Sequence, residues 1–254
     1  MISIKSKREI ELMRHAGYIN YLTHQEVKKH IKPGVKTKTL DKIAYDFITK
    51  KGCIPSFLNY EGYPASICIS INDEVVHGIP GNRIIKDGDI VSVDIGVNYK
   101  GYHSDSANTY IVGNVSDEVR NLVINTEKSL YKGLSVIAAG VKIGDIGASI
   151  EEFAKSNNLS VVKELVGHGV GTDIHEDPDV PNFGKKNTGI VLKEGMVLAV
   201  EPMLNLGKRH VYMLDDDWTI CTDDGKPSAH FEHTVLVTKE GYEILTGDME
   251  NGEK

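Results

Sequence analysis

Two acidic residues, Asp94 and Glu201, end segments of the chain that repeat one another. Lys86–Asp94 and Lys193–Glu201 each consist of a polar turn, an apolar run typical of a buried strand and a terminal carboxylate, and they lie 107 residues apart. A carboxylate at the buried end of a strand is unfavourable unless another group compensates its charge. Because this arrangement occurs twice, we expect both acids to serve one shared partner, and a pair of metal ions is the obvious candidate.

Three more residues complete a candidate ligand set. Asp105 follows a Gly-Tyr-His-Ser turn and is expected to precede the next strand, and Glu232 begins the last predicted strand. His168 stands in the loop Gly-His-Gly-Val-Gly, where glycines allow backbone and ligand to approach closely. The repeat relates Asp94 to Glu201 and, more loosely, Asp105 to Glu232. Packing of the two halves about a pseudo-twofold axis would therefore bring the four acids together.

The charge of this set indicates what it could hold. Four carboxylates carry four negative charges, which two divalent cations balance; without cations they could not all ionise, because their pKa values would rise. One imidazole among four carboxylates suits Mn, Fe, Co or Zn, and the histidine argues against the alternative of a structural Ca or Mg cage. Two such ions can activate water and polarise a carbonyl. Each residue alone is ordinary, so the prediction rests on the joint pattern.

The elements that would position these residues occur twice in one order: helix, helix, strand, loop, strand, strand. Such a long-period repeat is a fold-level signal. Matched apolar residues support it, namely Leu40 with Ile146, Ala44 with Ile150 and Phe47 with Phe153. Apolar spacing and stop signals predict helices over about 6–31, 39–51 and 116–139, with a fourth opened by Gly140, and strands over about 65–76, 90–99, 108–112, 160–166, 196–201 and 233–237.

We therefore expect an α+β fold built from two pseudo-twofold-related halves, approximately 1–115 and 116–254. The halves would pool their strands into a central antiparallel sheet with helices on one face, which leaves the other face free for a site. No low-complexity stretch or flexible linker interrupts the chain. The sequence therefore predicts a single catalytic domain over 1–254.

Composition narrows the class of protein. The net charge of −7 argues against nucleic acid as a main partner, because phosphate binding needs a basic surface. The first residues lack the apolar core of a signal peptide, and no apolar stretch approaches the ~18 residues that cross a membrane. The three cysteines, Cys53, Cys68 and Cys221, are too few for a disulfide framework. A reducing cytoplasm is the expected setting.

Several motifs together resemble the signature of the type I methionine aminopeptidases, which are metallopeptidases of the pita-bread fold. The resemblance covers nearly the whole chain. It indicates the bacterial short form, because a zinc-binding N-terminal extension and a type II insertion between the last two ligands are both missing. The matching segments are Ile69–Pro80, Val93-Asp-Ile-Gly96, Gly167-His-Gly-Val-Gly171, His175-Glu-Asp-Pro178, Val200-Glu-Pro202 and Phe231-Glu-His-Thr234.

The resemblance implies roles for the individual residues. His77 and His175 would contact the substrate and assist catalysis, and Glu201 would also transfer a proton. His103 and His233 lie near the ligands, but we expect their side chains to point to the other face. The ligands of two divalent ions (Co, Mn, Fe or Zn) would be Asp94, Asp105, His168, Glu201 and Glu232, with Asp105 and Glu232 bridging. The methionine pocket would include Tyr60, Tyr63, Cys68 and Trp218, with Ile174 where some relatives carry Phe.

The implied activity is metal-dependent removal of the N-terminal methionine from nascent proteins and peptides, with a preference for a small second residue. The implied partner is the N-terminus of a nascent polypeptide, with transient proximity to the ribosome, no nucleic acid or membrane partner, and a monomeric state. Two alternatives stay open. An Xaa-Pro dipeptidase-type enzyme would usually carry a large extra N-terminal domain, and a non-catalytic binding module would have lost ligands, whereas all five are present here.

Overall fold

The computed structural model describes residues 2–248 as an α+β fold, with a curled antiparallel sheet and helices packed on one of its faces. The helices are α1 (Lys7–Lys28), α2 (Thr37–Lys50), α3 (Asp117–Leu134) and α4 (Ile143–Ser156). The strands are β1 (Ile54–Pro55), β2 (Cys68–Ile71), β3 (Glu74–Val76), β4 (Ile90–Tyr99), β5 (Tyr102–Ile111), β6 (Ser160–Val161), β7 (Gly167–Gly169), β8 (Glu176–Val180), β9 (Val197–Val200), β10 (Met203–Asn205), β11 (Val211–Met213), β12 (Ile220–Thr222), β13 (Ser228–His230), β14 (Glu232–Val237) and β15 (Tyr242–Ile244).

Side-chain caps explain where two of the helices begin. Ser6 and Glu9 form a capping box at α1, in which the Ser6 hydroxyl accepts from the Glu9 amide and the Glu9 carboxylate accepts from the Ser6 amide at 2.6 Å. The Ser116 hydroxyl caps α3 by accepting from the Val119 amide. These bonds satisfy backbone donors that would otherwise lack partners in the first helical turn.

The second helix of each half begins in the same local environment. Lys36 and Lys142 each form an isolated antiparallel bridge with the segment that precedes the repeated strand. Gly34 and Gly140 both have left-handed backbones, with φ of 91° and 95°, a conformation that glycine adopts without strain. Two of the three matched pairs lie in the core, because Leu40, Ala44, Ile146 and Ile150 are fully buried, whereas Phe47 and Phe153 are half-buried.

The main sheet joins strands from both halves. Among the described residues it has nine strands, in the order β1-β4-β5-β14-β9-β7-β8, with β2 paired to β4 and β15 paired to β14. Its pairings are antiparallel, and the halves meet where β5 pairs with β14. Two smaller sheets have the orders β13-β10-β6 and β11-β12-β3.

Strand alternation separates the helix-covered face from the opposite one. Val93 and Ile95 of β4 pack with α1 and α2, whereas Leu198 and Val200 of β9 pack with α3 and α4. On β5, the carbonyl of Ser106 accepts a hydrogen bond from a histidine of α1 at 3.0 Å. Because neighbouring side chains alternate between faces, the acids beside these residues point away from the helices. Within residues 2–248, no helix is both long and apolar enough to cross a bilayer.

Some predicted boundaries were wrong. β5 begins at Tyr102, so Asp105 lies within a strand instead of preceding one, and β7 contains His168, which was predicted to lie in a loop. The strand predicted over 65–76 is two strands, because Asn72 turns the chain with φ of 61°. The strand predicted over 160–166 is limited to β6, and the helix predicted to end near 139 ends at Leu134.

Candidate metal centre

Four residues lie side by side across the middle of the sheet, on the face opposite the helices. Asp94 of β4 pairs with Ala107 of β5, and Ala107 pairs with Glu232 of β14. Glu201 directly follows β9 and adjoins Glu232, because the preceding pair joins Val200 to His233. The structure therefore brings together three of the predicted ligands from both halves of the chain.

The two remaining predicted ligands lie one step along the same face. His168 of β7 pairs with Ala199, and its Nε2 lies 3.8 Å from Oδ2 of Asp105 and 3.5 Å from Oε1 of Glu201. Ligand atoms of Asp105, His168 and Glu232 all lie within 4.8 Å of one another. This spacing is comparable with the distance between two ligands of one ion, because metal–ligand bonds are about 2.0–2.2 Å long.

Backbone contacts hold Asp105 and His168 in these places. Thr234 donates its hydroxyl to the carbonyl of Asp105 at 2.7 Å and accepts from the Asp105 amide at 2.8 Å. Gly167, beside His168, has no room for a Cβ, which would meet the carbonyl oxygen of Ala199. Glycine is thus needed here because a neighbouring strand approaches closely. The sequence had instead predicted the close approach of a ligand.

Burial gives the acidic cluster unusual protonation behaviour. It raises the pKa of Asp94 to about 6 and that of Glu201 to about 8. The pKa values of Asp105 and Glu232 are also raised well above their usual range, first by burial and then by the neighbouring carboxylates. Without a compensating cation, such carboxyl groups hold protons near neutral pH. Burial lowers the pKa of His168 to about 3, which keeps its imidazole neutral.

Unpartnered polar atoms show that the cluster fits cations. Three buried carboxylate oxygens, Oδ1 of Asp94, Oδ1 of Asp105 and Oε1 of Glu232, have no hydrogen-bond partner among residues 2–248. Nδ1 of His168 lies 2.9 Å from the carbonyl of Gly169, and a carbonyl can only accept, so Nδ1 carries the proton. Nε2 therefore points a lone pair at carboxylate oxygens. Lone pairs that face one another in a buried site are favourable only around a bound cation or a shared proton.

A cavity of about 420 Å³ opens onto this cluster. Tyr63, Cys68 and Trp218 lie in its wall, and Tyr63 packs against Trp218 in an edge-on contact at 5.0 Å between ring centroids. Ile174 is fully buried behind this wall, in the same apolar cluster. Tyr60, Tyr63, Cys68 and Trp218 thus line the cavity, and Ile174 does not. The cavity is also lined by residues that the sequence did not single out: Phe57, Glu61, Val76, Glu164, Leu165, Val166 and Met203.

Two histidines stand at the cavity beside the acidic cluster. The Nδ1 of His175 lies 2.9 Å from the hydroxyl of Tyr60, and the ring of His175 lies 4.2 Å from that of His168. His77 has a left-handed backbone with φ of 60°, which is rare for a residue with a Cβ and is often associated with a functional site. Burial lowers the pKa of His77 to about 4 and also lowers that of His175, so both imidazoles are neutral at pH 7.

Comparison with known proteins agrees with this geometry. Residues 11–239 match the family model for metallopeptidase family M24. The chain belongs to metallopeptidase family M24. It is 55% identical to methionine aminopeptidase 1 of Bacillus subtilis over 97% of this chain and 99% of that protein. A crystal structure of methionine aminopeptidase from Rickettsia prowazekii superposes with a TM-score of 0.96 at 42% identity, over 97% of this chain and 100% of that one.

A more distant M24 structure bears on the alternative activity. The Xaa-Pro dipeptidase of Bacillus anthracis has a TM-score of 0.78 at 25% identity, and the match covers 96% of this chain but 62% of that one. The fold is therefore shared, whereas the dipeptidase has a further part that this M24 chain does not match. The pita-bread fold predicted from the sequence is confirmed.

The strand register corrects the pairing of residues between the halves of this M24 chain. With Asp94 equivalent to Glu201, the position equivalent to Glu232 is Ala107, and the position equivalent to Asp105 is His230. The looser relation of Asp105 to Glu232 was therefore wrong. His230 was missed altogether, although its spacing of two residues before Glu232 places both on one face of an extended chain.

The two histidines that were predicted to point away from the site, His103 and His233, lie on opposite faces of the sheet. His233 points to the helix-covered face, where it bonds to Thr246 at 3.0 Å, as predicted. His103 shares the face of Asp105, contrary to the prediction, because it lies two residues away in the same strand. Its ring nitrogens are occupied by Ser56 at 2.9 Å and Asn98 at 2.7 Å, and it is not among the residues that line the cavity.

Proposed function

We propose that this chain is a metal-dependent aminopeptidase that removes the N-terminal methionine from proteins and peptides. One observation carries the proposal: an apolar recess and a buried cluster of four acids and a histidine share one cavity. The recess suits an unbranched apolar side chain such as methionine, which fills irregular gaps and contacts aromatic rings favourably. The M24 relatives named above support the same activity.

We propose that two divalent cations, drawn from Co, Mn, Fe and Zn, are held by the five predicted ligands. When bound, such ions activate water and polarise the scissile carbonyl. Asp105 and Glu232 occupy the centre of the cluster and would contact both ions. Opposing charges then balance, which relieves the burial of ionised carboxylates. The ligands in this proposal are Asp94, Asp105, His168, Glu201 and Glu232.

Glu201 is the proposed proton carrier. Its carboxylate lines the cavity beside the other proposed ligands, where a positioned carboxyl group can accept and return a proton. One carboxylate oxygen of Glu201 would accept a proton from the attacking water and then return it to the departing amine. This cycle leaves Glu201 ionised at its end, ready for another turnover.

His175 and His77 are proposed to bind the reacting peptide. The Tyr60 hydroxyl can donate to Nδ1 of His175, which leaves Nε2–H free to donate to the carbonyl oxygen of the scissile bond as negative charge develops there. His77 stands 6.5 Å from the ring of Trp218, between centroids. It would orient the substrate backbone beside the methionine side chain and assist the departing amine.

The finer expectations are part of the same proposal. A confined site favours substrates with a small second residue, and a nascent chain near the ribosome supplies free N-terminal methionine. A monomeric single catalytic domain over 1–254 is supported by the pooling of strands from both halves into one sheet. The described cysteines are buried and unpaired, which is typical of a reducing cytoplasm.

Peptide hydrolysis by the metal-reconstituted protein tests this proposal. We expect cleavage of Met-Ala-Ser, slower cleavage of Met-Leu-Ser and no cleavage of Ala-Pro. An Asp105→Asn variant is the matched control, because it changes one charge at the centre of the cluster and should lose both metal and activity. Cleavage of Ala-Pro without cleavage of Met-Ala-Ser would instead identify an Xaa-Pro dipeptidase and refute the proposal.

A further inference from the structure

His230 is a buried imidazole next to the metal centre whose ring nitrogens have no partners. It is 1% exposed, and neither Nδ1 nor Nε2 makes a hydrogen bond to the described residues. A buried polar group without a partner is rare in a folded protein and calls for an explanation. None of the roles proposed above uses this residue.

The backbone of His230 makes the same two hydrogen bonds as that of Asp105, in each case with the hydroxyl of a threonine on a neighbouring strand. Thr109 donates its hydroxyl to the carbonyl of His230 at 2.8 Å and accepts from the His230 amide at 2.9 Å. Thr234 makes the same two contacts with Asp105. The strand register relates Thr109 to Thr234 through the pseudo-twofold axis. His230 is therefore equivalent in position to Asp105, which is a proposed metal ligand.

The imidazole of His230 faces Glu201. Its Nε2 lies 3.5 Å from Oε2 of Glu201, while Nε2 of His168 lies 3.5 Å from Oε1 of the same carboxylate. Glu201 thus stands between two imidazoles. His168 lines the cavity, whereas His230 is not among the cavity-lining residues, so His230 lies behind the carboxylate, on the side away from the substrate.

We propose that His230 is a positioning residue for Glu201: its Nε2–H donates to Oε2 of Glu201 and thereby directs Oε1 toward the metal centre. The present separation needs to shorten by about 0.5 Å to reach the usual N–H···O distance. A hydrogen bond to the outer oxygen of a ligand carboxylate fixes its orientation and tunes its basicity. This inference rests on the proposed function of Glu201 as ligand and proton carrier.

Two variants of similar length isolate the donor. His230→Gln keeps an N–H at nearly the same reach, whereas His230→Met removes it and still fills the space. In calorimetric titrations of the metal-free proteins with Co(II), we expect His230→Met to bind about 10- to 100-fold more weakly and His230→Gln to stay within about threefold of the parent protein. The visible absorption bands of bound Co(II) should shift in the Met variant alone.

Kinetics on Met-Ala-Ser provide a second readout. At saturating metal, His230→Met should lower kcat with little change in KM, because Glu201 acts in the transition state, and His230→Gln should restore kcat. His24→Leu is the control for loss of a buried imidazole, because His24 lies on the helix-covered face. Unfolding midpoints verify that each variant folds, and His230→Leu replaces the Met variant if it does not.

The outcomes separate the two proposals. Parent-like Co(II) affinity, spectrum and kcat in the Met variant would overturn the role of His230. Equal impairment of the Gln and Met variants would also overturn it, since the imidazole itself and not its donor would then be required. If the parent protein binds Co(II) but cleaves no peptide, the proposed activity fails, while the affinity and spectrum still decide the role of His230.

Discussion

The central strand pairs of the two halves are joined in different ways. In the N-terminal half, a turn at Lys100 and Gly101 connects β4 to β5, and the strands pair along ten residues. In the C-terminal half, residues 201–231 separate β9 from β14 and include four short strands. The N-terminal pair is therefore a hairpin with a short turn, whereas the two strands of the C-terminal pair are connected through β10, β11, β12 and β13.

Because of this difference, the connection between the C-terminal strands carries site residues that the short N-terminal turn does not. The N-terminal hairpin supplies Asp94 and Asp105 on a rigid ladder. The opened C-terminal pair supplies acids of its own and also brings Trp218 to the cavity and His230 behind Glu201. The C-terminal half thus adds Trp218 and His230 to the site, whereas Tyr60, Tyr63 and Cys68 of the proposed pocket come from the N-terminal half.

The largest expected effect distinguishes the two equivalent acids, Asp94 and Glu201. At matched metal content, we expect Glu201→Gln to lower kcat by roughly 10³-fold, within the ~10²–10⁴-fold that a proton-transfer group contributes. Asp94→Asn should weaken metal binding, but at saturating metal its kcat should not fall as far as that of Glu201→Gln. Steady-state kinetics with metal content measured in the same samples check this. Equal losses of kcat would show that the acids share one role.

The scaffold, in contrast, should be equivalent in the two halves. Leu40 and Ile146 are matched and fully buried, so Leu40→Ala and Ile146→Ala should each lower the free energy of unfolding by about 2–5 kcal/mol. Urea denaturation of both variants measures this. Neither change should alter KM for Met-Ala-Ser, and a large stability loss in only one half would contradict equivalent packing.

Trp218 tests the added function of the C-terminal half. Trp218→Ala removes an aromatic wall and its edge-on contact with Tyr63, and we expect KM for Met-Ala-Ser to rise about tenfold, since such contacts and burial together contribute on the order of 1–2 kcal/mol. Tyr212→Ala is the matched control, because Tyr212 is exposed on the neighbouring strand β11. A parent-like KM for the Trp218 variant would place methionine elsewhere.

The smallest expected effect is a change in the number of protons that the protein releases when metal binds. Because burial raises the pKa of Asp94 to about 6 and of Glu201 to about 8, the metal-free protein holds protons that bound cations displace. Proton release on Co(II) binding should therefore decrease as pH rises through these two values. Calorimetry in buffers of different ionisation enthalpy measures it. Glu201→Gln should remove the step near pH 8, and a release that does not depend on pH would contradict the shifts.

The same shifts set the direction of a stability change in the metal-free protein. A raised carboxyl pKa means that the folded state binds more protons than the unfolded chain, so stability falls as pH rises through that pKa. The melting temperature of chelated protein should consequently decrease between about pH 7 and pH 8, above the range in which the buried histidines titrate in the unfolded chain, and saturating Co(II) should abolish that decrease.

The sequence predicted the repeat, the helices and the acids of the site because those features depend on local apolar spacing. It could not predict that Asp105 lies inside β5, since polar side chains occur on both faces there: Ser106 bonds to Asn20 of α1 on one face while Asp105 enters the site on the other. His230 was missed for a different reason. Its equivalence to Asp105 follows only from the strand register, which depends on contacts between residues far apart in the chain.

That register also determines how charge is shared between the halves. The N-terminal half places its second acid at Asp105 and leaves Ala107 neutral, whereas the C-terminal half places its second acid at Glu232 and a neutral imidazole at His230. Each half nevertheless contributes two carboxylates, the charge of a single divalent ion. The acidic position thus moves by two residues along the strand between the halves, whereas the number of carboxylates that each half contributes stays the same.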